Sequence, residues 1–177
     1  MRILLATLLA FGLSASVRAQ DFPLTGENTK IEFTGKKADG KHDGGFKKLT
    51  GTATVPDGKI ESAKIEVTIE TDSIYSDNPG LTTHLKNADF FDVKTNPTSK
   101  FVSTKVATDG DKFSVTGDLT LNGKTKSITF PAKIAVTGGT LSLTAEFKID
   151  RTQFGMAYGK GKIEDEVELK VKVDAKK

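Results

Sequence analysis

Two histidines, His42 and His84, are the side chains here best placed by type for acid–base or metal chemistry near neutral pH. They match no standard metal-ligand spacing, so a shared metal site is not expected. The chain has no cysteine, which removes thiolate nucleophiles, thiolate ligands and disulfides together. No Gly-x-Ser-x-Gly elbow is present. No glycine-rich loop opens a helix to cradle phosphate. Asp150 and Arg151 form an acid–base couple in sequence, but nothing near them supplies a base–nucleophile pair. Their expected role is to fix the turn before Phe154-Gly155. The remaining carboxylates alternate with apolar residues, as on a solvated outer wall. The residues predict neither an enzyme nor a resident cofactor or metal.

The elements that would position these groups are strands. Phe113, Val115, Gly117, Leu119 and Leu121 share one face, with polar residues between them. Asn122-Gly123 follows, a favoured type I′ hairpin turn. Ile128 to Val136 alternates next, Gly138-Gly139 turns the chain, and Leu141 to Ile149 alternates again. The same period marks Ile31–Gly35, Phe46–Val55, Ala63–Ile69, Lys100–Ala107 and Ile163–Val173, where Asp165 is an odd inward position. Asp57-Gly58 and Asp109-Gly110 read as turns. The stretch near residues 80–92 suits a short helix or an ordered loop. The pattern predicts an all-β fold, an eight-stranded antiparallel up-and-down β-barrel whose closure removes exposed edges. A two-sheet sandwich is the alternative, because alternation alone does not separate them.

Residues 1–19 read as a cleaved signal peptide: Arg2, an apolar run from Ile3 to Leu13, then Val17 and Ala19 at the −3 and −1 positions. The run is short for a membrane span, and no second one follows. The expected mature domain is therefore residues 20–177, without a membrane span and periplasmic or secreted. Loss of Arg2 and Arg18 leaves 24 basic against 23 acidic side chains, from 26 and 23. The charge is scattered along the chain, so a nucleic-acid partner is not expected. Inward positions mix large residues with small ones such as Gly51, Ala53, Gly117, Ala132 and Ala145. Such a barrel either interdigitates into a dry core or holds one apolar ligand.

The segment His84–Phe101, HLKNADFFDVKTNPTSKF, resembles the signature of the YceI family of exported proteins. GDLTLNGKTKSITFP at Gly117–Pro131 and FKIDRTQFGM at Phe147–Met156 resemble its hairpin and its Asp-Arg-x-x-Phe-Gly segment. Two regions depart from the commoner pattern: Leu81-Thr82-Thr83 lacks a charged residue before His-Leu, and Gly35–Gly51 is glycine- and lysine-rich. The resemblance implies a lipocalin-like barrel that binds a polyprenyl lipid or isoprenoid quinone, as carrier, scavenger or stress-related sensor. The pocket would be lined by Phe33, Val67, Ile69, Phe90, Phe91, Phe101, Phe113, Val115, Phe130, Leu143, Phe147 and Phe154. His84, Lys86 and His42 are the polar candidates at its mouth. His84 reads chiefly as a structural residue of its helix or loop, and His42 as a solvated loop residue. The partner is a hydrophobic isoprenoid molecule, and a homodimer is compatible with the sequence. The alternative function is a filled barrel that binds other proteins through its loops.

Overall fold

A computed structural model describes residues 19–177. The signal-peptide reading therefore falls outside the described residues, apart from Ala19. Eleven strands form one antiparallel sheet: β1 (Ala19–Thr25), β2 (Thr29–Lys37), β3 (Gly40–Phe46), β4 (Leu49–Pro56), β5 (Lys64–Glu70), β6 (Ile74–Ser76), β7 (Thr98–Asp109), β8 (Lys112–Leu121), β9 (Lys124–Thr137), β10 (Thr140–Asp150) and β11 (Ile163–Lys176). The order across the sheet is β1-β4-β5-β7-β8-β9-β10-β11-β2-β3-β6. A single α-helix among the described residues, α1 (Pro79–Leu85), lies between β6 and β7. No described helix is long and apolar enough to cross a membrane.

The fold is all-β and barrel-like; the expected count of eight strands is corrected to eleven, and the expected closure to a curled half-barrel, since β1 and β6 stand at the two edges of the ladder. The extra strands are β1, β3 and β6. They escape the sequence reading for separate reasons. Pro23 sits within β1, between the inward Phe22 and Leu24, and argues against a strand in sequence; β1 lies at the sheet edge, where proline is tolerated. β3 reads GKHDGGF, with no apolar alternation, and β6 has three residues. The interruptions are aligned. Residues 26–28, 47–48 and 71–73 sit side by side, with Lys47 N–H donating to the Ser73 carbonyl at 3.2 Å and Glu70 N–H to the Lys48 carbonyl at 3.1 Å. A Cβ at Gly26 would overlap the Lys47 carbonyl, so this crease needs glycine there. Across the crease β1 pairs with β4 while β2 pairs with β3, and the sheet curls.

The turns form as their residues dictate. Asn122 and Gly123 adopt φ of 47° and 68°, the left-handed pair a type I′ hairpin requires. The end of the barrel bearing the 57–63 loop and the 109–111 turn is packed solid. There Phe22, Val55, Val115, Ala132, Ala145 and Ala175 are almost fully buried. Midway, Phe130 stacks on Phe147 at 4.2 Å and meets Phe101 at 5.7 Å. Gly117 exists for that ring: a Cβ there would overlap Phe101 and stand 2.6 Å from the Val102 carbonyl. Gly117→Val is expected to cost about 1–3 kcal/mol through overpacking. Urea unfolding checks this, and an unchanged midpoint would show that the Phe101 ring can move aside.

Candidate functional site

The opposite end is hollow. It lies under α1, the 86–97 loop, the β8–β9 turn and the β10–β11 connection. Asn78 caps α1, its Oδ1 accepting from Leu81 N–H at 3.0 Å, and Pro79 occupies the first turn, where its missing N–H costs nothing. Leu81 and Leu85, four residues apart, share one helix face and turn it inward. The chain continues as an ordered loop, with Phe91 N–H donating to the Leu85 carbonyl at 3.1 Å. Both forms expected near residues 80–92, helix and ordered loop, are present in succession.

Beneath this cover is a cavity of about 190 Å³. Its walls are almost wholly apolar. They comprise Ile31 and Phe33 of β2, Phe46, Ile69, Leu119 and Leu121 of β8, Ile149, Met156, and Ile163, Val167 and Leu169 of β11. Leu81, Leu85, Phe90 and Phe91 close the top. Gly35 opens onto it, and a Cβ there would meet nothing within 4 Å. Lys36, Lys37, His42 and Arg151 form its polar margin. A larger depression of about 1070 Å³ runs along the outer wall of β10, β11, β2 and β3. Phe33, Tyr75, Phe147 and Leu169 border it among charged side chains, some already paired, such as Lys36 with Glu168 at 2.6 Å and Lys170 with Glu146 at 3.1 Å, and the charged residues make it read as solvated surface.

Of the residues expected to line a pocket, Phe33, Ile69, Phe90 and Phe91 border the cavity, and of the mouth candidates His42 does. Val67, Val115, Phe130, Leu143 and Phe154 are buried in the packed core instead. Phe101, Phe113 and Phe147 are half-buried against that core, outside the cavity lining. The lining residues not singled out from sequence come mostly from the loop-proximal ends of strands, such as Leu119, Leu121, Ile163 and Val167. Inward alternation marks them, but it does not say which end of the barrel is empty.

The polar candidates are engaged with the protein. His84 Nε2 lies 2.9 Å from Asp89 Oδ2, and its ring meets Phe90 and Tyr158 edge-on at 5.0 and 4.7 Å. It ties the plug to the β10–β11 connection. Lys86 pairs with Asp72 at 3.0 Å, away from the cavity lining. His42 Nδ1 lies 2.8 Å from Asp77 Oδ1 at the cavity edge. Among the described residues no group of three His, Cys, Asp or Glu is arranged to hold a metal.

Arg151 is 4% exposed and uses every guanidinium donor. Nε donates to the Glu164 carbonyl at 3.0 Å, Nη1 to the carbonyls of Met156 (2.5 Å) and Tyr158 (2.9 Å), and Nη2 to the Ile163 carbonyl (3.2 Å) and Asp165 Oδ1 (3.4 Å). This accounts for the inward place of Asp165. Asp150 caps the short 3-10 turn Arg151–Phe154, accepting from Thr152 Oγ1 at 2.6 Å and Thr152 N–H at 2.9 Å.

Those bonds from Thr152 hold the Asp150 carboxyl below its usual range. The Asp43 N–H, and then His42, do the same for Asp77. A carboxylate whose folded value is depressed adds stability above its unfolded value, near pH 3.9, and loses it as pH falls through the folded value. The urea midpoint is therefore expected to drop as pH falls below about 4. Asp150→Asn should lower stability at neutral pH and flatten that acid limb. An equally steep limb in the variant would remove Asp150 from the account.

Residues 22–175 match the family model of the YceI-like domain. Protein YceI of Escherichia coli O157:H7 is 36% identical over 137 residues, 74% of this chain and 72% of that protein. Among solved structures, BcnA of Burkholderia cenocepacia superposes with a TM-score of 0.77 at 28% identity, covering 83% of this chain and 96% of that one. A polyisoprenoid binding domain from Saccharophagus degradans, implicated in plant cell wall breakdown, superposes with a TM-score of 0.71 at 11% identity, covering 90% and 99%. At that identity the likeness is one of fold.

Proposed function

This chain belongs to the YceI-like domain family, and from that premise we propose that it is an exported binding protein, not an enzyme, for a hydrophobic isoprenoid. The single observation that carries the proposal is the apolar cavity of about 190 Å³ under the α1 segment. The polyisoprenoid-binding domain of the same fold supports the class of ligand. Cavities for drug-sized ligands run to about 300–1,000 Å³, so this one takes a short stretch of prenyl chain. A longer chain leaves through the mouth or displaces the Phe90–Phe91 plug. Affinity comes from buried apolar area, about 25 cal/mol per Å² before association costs. The polar end meets the margin at Lys36, Lys37 and His42, which suits a carrier or scavenger that hides the tail and leaves the head accessible. Export to the periplasm or outside the cell is part of the proposal and is supported by the charge and apolar pattern of residues 1–19.

Mass spectrometry of solvent extracts from detergent-free protein tests the reading. A stoichiometric prenyl lipid or quinone is the expected result. A clean extract, unchanged after incubation with prenols and quinones of several lengths, would return the molecule to the filled-barrel alternative.

A further inference from the structure

The net charge of the chain is small, but the fold does not spread it evenly. Four segments at the mouth are stitched together. Thr71 Oγ1 donates to the Asn96 carbonyl at 2.6 Å, Asn96 Nδ2 to Asn122 Oδ1 at 3.0 Å, and Asn122 Nδ2 to the Phe154 carbonyl at 3.3 Å. These links gather lysines from distant parts of the sequence: Lys94 from the 86–97 loop, Lys124 and Lys126 from the start of β9, and Lys160 and Lys162 from the β10–β11 connection. All five are exposed. None has a carboxylate partner among the described residues. Lys124 reaches across to Gly155, so the β9 lysines and the β10–β11 connection share one patch.

Beside them stands Tyr158, at 48% the exposed large apolar side chain among the described residues. Its ring is held edge-on by His84 and lies 5.5 Å from Phe90, which closes the cavity. The far end of the barrel, about 30 Å away along β8, carries Asp57, Glu61, Asp109 and Asp111 together with Lys59, Lys112, Lys176 and Lys177, so acids and lysines balance there.

We propose that this rim is a docking surface for an anionic lipid bilayer, with Tyr158 at the headgroup level and the cavity mouth turned toward the membrane. The orientation rests on the ligand reading above; the docking itself does not. Basic side chains are drawn to anionic headgroups, and an amphipathic ring beside them suits the interface. Docked this way, the mouth faces the bilayer in which an isoprenoid dissolves, and a tail passes into the barrel without crossing water.

The test uses vesicles free of isoprenoid, made of phosphatidylcholine alone or of phosphatidylcholine and phosphatidylglycerol in equal parts. Co-sedimentation with the anionic vesicles is expected, with loss at several times physiological ionic strength. Each lysine neutralised should weaken binding about fivefold, and Lys124→Gln/Lys160→Gln/Lys162→Gln together about 100-fold. Lys59→Gln/Lys112→Gln at the far end should not weaken it. The chain has no tryptophan, so Tyr158→Trp is a lone reporter, and its emission should shift to the blue only with anionic vesicles. Equal binding to both vesicles, an unaffected triple variant, or equal loss from the far-end pair would overturn the proposal. So would duplex DNA that competes the vesicles off charge for charge, which would make the patch a general polyanion site. A protein that docks normally but extracts no isoprenoid would sink the ligand reading and leave the docking intact.

Discussion

Gly35→Phe is expected to abolish uptake of an isoprenoid, at least 100-fold, in a protein more stable than the parent. Gly35 lies on β2 opposite Val167, and both face the cavity. A Cβ at Gly35 meets nothing within 4 Å, and its φ is not in the left-handed region, so a side chain enters without strain on the backbone. An aromatic ring there takes the space a prenyl tail would occupy. Two terms favour the folded state. Glycine in a strand interior costs about 0.5–1 kcal/mol, which the substitution recovers. The ring also buries apolar area, offset in part by the side-chain entropy it loses. A net gain of about 1–2 kcal/mol is expected, raising Tm by roughly 2–8 °C in a domain of this size. Ligand titration and thermal unfolding of the same sample check both halves. The opposite signs matter: a misfolded variant loses both affinity and stability, whereas a filled cavity loses affinity alone. Unchanged uptake in a well-folded Gly35→Phe protein would place the ligand elsewhere. Gly117→Val, which drives into Phe101 and packed core, is the contrasting control.

That contrast marks how far the sequence could be read. Alternation assigned the inward faces of β2, β4, β5 and β7 to β11, because each strand has one wet face and one dry one. It could not say which small residues make room for a ring and which border a void. Gly117 and Gly35 look alike in sequence and differ in what stands opposite: the Phe101 ring against Gly117, open space at Gly35. Inward aromatic residues divide between two roles: Phe130 stacks on Phe147 and meets Phe101 at a tilt, and the three fill the middle of the barrel. The cavity is walled by Phe33, Phe46, Phe90 and Phe91 together with aliphatic residues near the loops, where strand-end position decides. β1 keeps its period but carries a proline that argues against a strand, while glycine in β3 and shortness in β6 leave no period to read. The lysine rim was illegible for another reason. Its members come from residues 94 to 162, and the Asn96–Asn122–Phe154 hydrogen bonds that assemble them link loops far apart in the chain.

Removal of Arg151 should be the most destabilising single change at the mouth. Asp150-Arg151 read from sequence as a turn-fixing pair, and the structure gives that role a specific load. Four backbone carbonyls, from Met156, Tyr158, Ile163 and Glu164, depend on one buried guanidinium. The connection that Met156 and Tyr158 belong to, and that ends at Ile163 and Glu164 of β11, carries three glycines in the left-handed region, Gly155, Gly159 and Gly161, so it has little intrinsic preference for this path. Arg151→Met keeps the length and the apolar stem but leaves carbonyls without donors. Each unsatisfied buried acceptor costs about 1–3 kcal/mol, less where water can enter as the loop loosens. A loss of about 3–5 kcal/mol is expected, which lowers Tm by roughly 6–20 °C. Arg151→Lys should recover little, because an ammonium offers three donors from one point where the guanidinium spreads five over a plane. Urea and thermal unfolding of both variants give the measurement. Met156 and Ile163 of the released connection border the cavity, and Tyr158 stands on the proposed docking rim. Hydrogen exchange in Arg151→Met should therefore rise first at residues 155–163 while β8 and β9 stay protected. A variant that unfolds as a whole with the parent's local protection pattern would show that Arg151 stabilises the barrel generally and does not specifically hold the mouth.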